Sequence, residues 1–314
     1  MNRIPRVVRL PALAWACLCA TPAHAWAQAT TALVSQFRGE VKVLKAPEGT
    51  ELPVKVGLRL VEPDRVDVAR GSRVVLLFSN GRLITATTPM TIAPVGGEGA
   101  AEVYARAERA LAAAGQATRP DAKSGVGRPP PAGAYPLSPA SGSAVVEERP
   151  AFAWQPQEGA ETYLLQLRPT AGGAPLRFQV TGTGPWALPD TVAPLVRGAE
   201  YAWTVVALPG GRSAGEERFR VLDAAGLADL DALHASLREA GVDPEGDGLF
   251  LVAMLSADLG LFHDALAALE KLTAATSEAG RDPSVDLLHA LVLERLGRVE
   301  EARAAFDRAE RPVG

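Results

Sequence analysis

The spacing of apolar residues changes for good near Asp223, and that change limits what this chain can fold into more than any other feature. Before it, apolar and polar residues alternate: "GEVKVLKA" (39–46) places Val41, Val43 and Lys45 on one side of an extended segment and Glu40, Lys42 and Leu44 on the other. After it, apolar residues recur three or four apart, as in Leu227, Leu230, Leu233 and Leu237. A period of two suits a half-buried sheet, and a period near 3.6 suits a helix with one buried stripe. The expected fold class is therefore multidomain, with β modules first and an all-α module last.

The chain of 314 residues divides, on this reading, at 1–29, 30–95, 96–136, 137–222 and 223–314. Residues 1–29 have the pattern of a cleavable export signal. Arg3, Arg6 and Arg9 precede the apolar run "LPALAWACLCA" (10–20), and small-residue cleavage sites end at 25, 27 or 29. The run is shorter than the roughly 20 residues that span a bilayer, so a peripheral association is the most a membrane is expected to offer. Both cysteines, Cys17 and Cys19, fall inside this signal, and the Ala three residues before each departs from a lipoprotein pattern. The expected mature chain is periplasmic or secreted and has no thiol, hence neither a disulfide nor a thiolate metal site. Its net charge changes from −4 to −7 with the loss of those three arginines, which argues against nucleic acid as a partner.

Within 30–95, "RVVLLFSNGRLITAT" (73–87) reads as a hairpin over Asn80-Gly81, a pair suited to a turn in which both central residues take positive φ. Val74 to Phe78 are apolar on both faces, so this strand is expected inside its sheet. The stretch as a whole resembles the FecR domain through Gly39, Val41, Gly57, Leu60, Asp64, Val66, Ser72, Leu76, Phe78, Asn80 and Gly81. It has "EPD" (62–64) where that family has Gly-Asp, which puts the turn at Pro63-Asp64 in question. The resemblance implies a small all-β fold and an envelope-signalling or cell-wall context. The anti-sigma role of the regulator FecR is not carried over, because few residues precede the export signal.

"AAEVYARAERALAAAG" (100–115) reads as a short amphipathic helix with Val103, Ala107, Ala110 and Leu111 on one side, followed by a Pro/Gly-rich tether. In 137–222, short strands at regular spacing suggest a sandwich. Trp154, Tyr163 and the run Leu195, Gly198, Tyr201 resemble a fibronectin type III domain, which implies that the Tyr201 hydroxyl folds back to the backbone and pins a corner. In 223–314, Asp223 is the expected cap of the first helix and Gly241 its stop. Gly260, Ala265 and Leu269 recur 37 residues later as Gly297, Ala302 and Phe306. This pattern resembles the tetratricopeptide repeat, in which small residues let paired helices approach. Two units are fewer than the three or so that stand alone, so the segment is expected to lean on its neighbours.

No catalytic, cofactor-binding or metal-binding residue is assigned. His234, His263 and His289 lack the paired spacing of a zinc helix, and Glu294 is five residues from His289 and off its face. "GRSAG" (211–215) matches a nucleophile motif, but a strand rather than a helix follows Ser213. "DPEGDG" (243–248) spaces Asp243, Glu245 and Asp247 like a calcium loop, yet Met254 stands where a bidentate Glu is needed and Pro244 stiffens it. "GVG" (125–127) precedes prolines rather than a helix. The expected function is non-catalytic: three separately cored modules presenting surfaces, with an envelope protein or peptide bound by the helices. The alternative is a peptidoglycan or glycan binder, using Lys42, Lys45, Lys55, Arg65, Arg70, Arg73 and Arg82.

Overall fold

The computed structural model describes residues 31–96, 101–120, 134–182, 184–211, 213, 215–277 and 281–311. The expected export signal and the "GVG" stretch lie outside the described residues. No helix among the described residues is long and apolar enough to cross a membrane.

Strands β1 (Ala32–Arg38), β2 (Val41–Lys45), β3 (Thr50–Pro53), β4 (Arg59–Leu60), β5 (Arg65–Val68), β6 (Arg73–Phe78), β7 (Leu83–Ala86) and β8 (Met90–Thr91) come first. They form two antiparallel sheets, ordered β4-β1-β6-β7 and β3-β2-β5-β8. Ala32, Val34, Val74, Leu76 and Phe78 of one sheet meet Val41, Val43, Val66 and Val68 of the other. Two of the patterned residues act as a pair here. Gly39 has φ +79°, a Cβ on it would collide with the Ser72 hydroxyl, and that hydroxyl accepts the Glu40 amide at 2.9 Å.

The β6–β7 hairpin forms, but its turn is not the expected one. Gly81 alone has positive φ, since no non-glycine residue does among the described residues. Gly81 N donates to Phe78 O at 2.8 Å and Phe78 N to Arg82 O at 2.8 Å, the arrangement of a three-residue loop closed by a left-handed glycine. Asn80 serves differently: its Oδ1 accepts the Arg82 amide at 3.1 Å and its Nδ2 donates to Val95 O at 2.7 Å.

Helix α1 (Ala101–Gln116) follows, then β9 (Tyr135–Ser138), β10 (Ser143–Val145), β11 (Ala151–Gln155), β12 (Thr162–Pro169), β13 (Leu176–Thr181), β14 (Trp186–Ala187), β15 (Glu200–Leu208) and β16 (Glu217–Val221). These strands make sheets β10-β16-β15-β12-β13 and β14-β11-β9 around an aromatic core. The Phe152 and Trp203 rings meet edge-on at 5.0 Å, and Trp154 lies 5.4 Å from Tyr163. The Tyr201 hydroxyl accepts the Val196 amide at 2.8 Å, fixing the corner five residues upstream.

Helices α2 (Ala224–Glu239), α3 (Leu249–Asp258), α4 (Phe262–Ala275), α5 (Pro283–Arg295) and α6 (Val299–Ala309) complete the chain, giving a β-then-α multidomain arrangement. The Asp223 carboxylate accepts the Gly226 amide at 2.8 Å and caps α2; Gly241, at φ +68°, follows its end. The hairpins α3–α4 and α5–α6 repeat one plan. Gly260 (φ +79°) and Gly297 (φ +74°) turn the chain, Ala265 and Ala302 are fully buried where the helices approach, and Leu269 and Phe306 fill the same level.

The expectation of three separately cored modules is corrected by the packing. The outward face of β1 and β6, comprising Leu33, Val75 and Leu77, belongs to the same core as α3, α5 and α1. Seven residues of α3 are buried, from Leu249 to Ser256, because it has neighbours on every side. The apolarity of β6 on both faces has this cause. One face meets the partner sheet and the other meets helices. Helix α1 is likewise no mere prelude to a tether, for Val103, Tyr104, Ala107, Ala110, Leu111 and Ala114 are buried against α3 and α5. The helical hairpins do lean on other elements, as their small number requires, chiefly α1 and the first β module.

Candidate binding surface where the modules meet

Two buried polar anchors hold the first β module to the helices, beside the exposed contacts of Thr85 with Ala240 O at 3.3 Å and Arg59 with Glu108 at 3.4 Å. The "DPEGDG" loop supplies one, and its carboxylates do not converge as a calcium site would require. Asp243 Oδ1 accepts the Glu245 amide at 3.0 Å, Glu245 reaches Lys271 at 3.6 Å, and Asp247 turns inward. Asp247, only 7% exposed, pairs with Arg73 of β6 and with Arg38 of β1 at 3.4 Å. No group of three or more metal-ligating side chains occurs among the described residues. The second anchor is at Val56, whose carbonyl accepts the Asp282 amide at 2.8 Å at the start of α5. Gly57 (φ +89°) allows this approach, since a Cβ there would stand 3.1 Å from the Val285 side chain.

The turn at Pro63-Asp64 is organised by the acid. Asp64 is fully buried and accepts Lys45 Nζ at 2.6 Å, Val61 N at 2.9 Å and Ala46 N at 3.2 Å. Burial pulls its pKa upward, but the Lys45 and backbone hydrogen bonds outweigh this and hold the carboxyl below its usual range. Lys45 is therefore committed to its own module. So are Lys42 with Glu51 at 2.8 Å and Arg65 with Asp67 at 2.7 Å, while Arg73 is engaged across the junction by Asp247. Arg82 donates to Gly96 O at 2.6 Å. The cations proposed for a wall polymer are thus divided between two sheets and mostly engaged internally.

A polar clamp also fixes α1. Arg106 reaches Asp229 of α2 at 2.6 Å and Asp258 of α3 at 2.9 Å, while Arg109 reaches Asp258 at 3.2 Å. Asp258 ends α3, where the helix dipole disfavours an acid, so these cations compensate it. Beside them the β-sandwich docks on the α3–α4 turn. Ala144 N donates to Gly260 O at 2.8 Å, and Arg220 of β16 donates to Leu259 O at 2.6 Å.

This meeting point leaves a solvent-open crevice of about 310 Å³ bounded by Arg109, Arg220 and Arg295, with Ala110, Asp258 and Phe262. Arg295 stands 6.0 Å from the Phe262 ring centre, a cation–π contact. A second cavity of about 560 Å³ continues between α1 and α5, sharing Ala113, Leu291 and Arg295 and adding Gln116, Thr118 and Glu294. The three arginines did not stand out in the sequence. Arg109, Arg220 and Arg295 are far apart in the chain, and only the docking of three elements brings them to one place.

Of the residues weighed for chemistry, Glu294 borders the second cavity and the others lie elsewhere. Ser213 is exposed between β15 and β16, and its hydroxyl donates to Gly215 O at 2.8 Å. His234, His263 and His289 sit on α2, α4 and α5 respectively. His289 is buried, its Nδ1 has no hydrogen-bond partner, and Glu294 is exposed on another face of α5. Burial first, and then Arg308, push the His289 pKa below its usual value, against Asp286 and Glu270. Its neutral form is the one the fold accommodates. Stability from this site is present above pH ~6.5 and is lost as pH falls, because the unfolded chain takes up the proton first. The urea midpoint is expected to fall more between pH 7.5 and pH 5.5 in the parent than in His289→Gln; equal falls would contradict this.

No family model matches the chain, and no curated protein matches it. A two-domain fibronectin type III segment of chicken tenascin is similar over 60% of this chain and 90% of its own length, at 14% identity and a TM-score of 0.21. A likeness that low assigns neither fold nor function to this chain.

Proposed function

We propose that this chain is an exported, non-catalytic binding and scaffold protein of the cell envelope, built from FecR-like, fibronectin type III-like and tetratricopeptide-like modules. The supporting observation is that both β modules dock on one helical core, through Asp247 with Arg38 and Arg73 on one side and Gly260 with Ala144 on the other. Such docking fixes the relative positions of separate surfaces, which a tether does not. The partner is a protein or peptide of the envelope, bound at surfaces that the helical core supports.

Cross-linking of the mature chain in envelope extracts, followed by mass spectrometry, tests this reading. Specific protein cross-links to residues of 223–311 are expected. Their absence, together with salt-sensitive co-sedimentation with purified sacculi, would replace it with the wall-polymer alternative. A hydrolase reading makes a separate demand on Ser213. Because its hydroxyl serves one local carbonyl, Ser213→Ala is expected to shift stability by less than about 0.5 kcal/mol and to leave binding unchanged. Loss of any hydrolytic turnover in that variant would count against a purely binding role.

A further inference from the structure

We propose that the arginine-lined crevice at the module junction is a receptor for a short carboxylate-bearing peptide segment. This deepens the binding reading above and rests on it. Three guanidinium groups from three separate elements line one cavity: Arg109 from α1, Arg220 from β16 and Arg295 from α5. Asp258 is the sole carboxylate among its lining residues, and Arg106 and Arg109 already hold it. Arg220 donates to a backbone carbonyl, and Arg295 has a ring face as its neighbour. Arg109 is engaged by Asp258 and by Glu102 at 2.9 Å, so Arg220 and Arg295 are the guanidinium groups with N–H donors left to match a carboxylate. The junction of packed modules is also where ligand clefts preferentially form.

The shape selects a peptide over a free anion. The crevice runs on through Ala113 and Leu291 into the second cavity, where Gln116, Thr118 and Glu294 offer polar groups beside the small apolar Ala113, Ala117 and Leu291, and Glu294 confines an acidic side chain to the arginine end. An extended segment with acidic side chains at one end and small apolar ones beyond matches that layout. Long polyanions are disfavoured by the surroundings, because residues 223–314 hold 18 acids against 8 bases. A local cationic crevice within an acidic module admits one or two carboxylates and repels a continuous chain of phosphates.

The test is fluorescence anisotropy on the mature chain with a rhodamine-labelled, end-blocked peptide Ala-Leu-Asp-Asp, and Ala-Leu-Asn-Asn as its neutral counterpart. The acidic peptide is expected to bind at low salt and the neutral one at least about tenfold more weakly, as loss of charge-assisted hydrogen bonds implies. Arg295→Gln is expected to weaken the acidic peptide by a similar factor without moving the thermal midpoint. Ala113→Glu, at an exposed helical position between the two cavities, is expected to weaken it too and serves as an independent variant. Equal binding of both peptides, or unchanged affinity in both variants, would overturn the site. Displacement of the peptide by inorganic phosphate at equal concentration would overturn the peptide assignment. If protein cross-links to the helical surface persist while the acidic peptide does not bind, the scaffold reading stands and the crevice assignment falls.

Discussion

Leu77→Asp is expected to destabilise the helices and the first β module together, by about 4 kcal/mol or more. Leu77 is fully buried, yet it points away from the core between the two sheets of its own module. Were that module independent, its outward face would meet water and an acid there would cost little. Instead the side chain enters a core shared with α3 and α5, where an unpaired carboxylate loses its hydration without gaining a partner. Leu77→Ala is the milder version, at about 2–4 kcal/mol from lost contacts and the cavity left behind. Leu52, 36% exposed on β3 of the same module, provides the control. Leu52→Asp is expected to stay within about 0.5 kcal/mol. Urea unfolding followed at 222 nm reads all three, and a small effect of Leu77→Asp would show that the helices do not cover this face.

A second large effect is expected at Asp64, for a different reason. Its carboxylate satisfies Lys45 and the amides of Val61 and Ala46; Asp64→Ala strands the two amides and leaves Lys45 with the Arg59 carbonyl at 3.0 Å. Lys45 retains some exposure and can turn to water, whereas the two amides are fixed by the turn. A loss of about 3 kcal/mol follows from the unsatisfied donors. Asp64→Asn separates charge from shape, and its pH dependence has a definite sign. The folded carboxyl has a lowered pKa, so its contribution is present above the unfolded value of about 3.9 and is lost as pH falls through the folded one. The stability gap between the parent and Asp64→Asn should therefore narrow only below about pH 4. A gap that closes near pH 6 would contradict the assignment.

How much of this was legible in the sequence differs from element to element. The switch of apolar period placed strands before helices, and the recurrence of Gly260, Ala265 and Leu269 as Gly297, Ala302 and Phe306 gave the two hairpins. Local chemistry of this kind is legible because it depends on neighbours a few residues away. The β6–β7 hairpin was legible in place but not in turn type. Asn80 was read as adopting positive φ, whereas it stays negative and spends its amide on Val95. The shared core left a trace that was read too narrowly. Apolarity on both faces of β6 was taken to mean a central strand, although an antiparallel sheet covered on both sides also needs a second layer. For the junction crevice there was no such trace. Nothing in the spacing of Arg109, Arg220 and Arg295 links them, because their proximity is a product of docking.

Docking also alters how the helical segment must be studied. Removing residues 223–314 would uncover Leu33, Val75 and Leu77 as well as one side of α1, so loss of a partner in such a truncation would report unfolding rather than binding. Single-residue variants on the intact mature chain avoid this. The sandwich supplies a built-in reporter, since Trp154, Trp186 and Trp203 are the tryptophans among the described residues and all three lie within it.

Native-state hydrogen exchange across sub-denaturing urea puts the shared core to its most direct test. Amides of β6 (Arg73–Phe78) and α3 (Leu249–Asp258) should open with one common free energy and urea dependence, while β12 and β15 of the sandwich follow their own. Opening of α3 at markedly lower free energy, with β6 still protected, would mean that the β module and the helices are separate bodies and that no fixed platform exists.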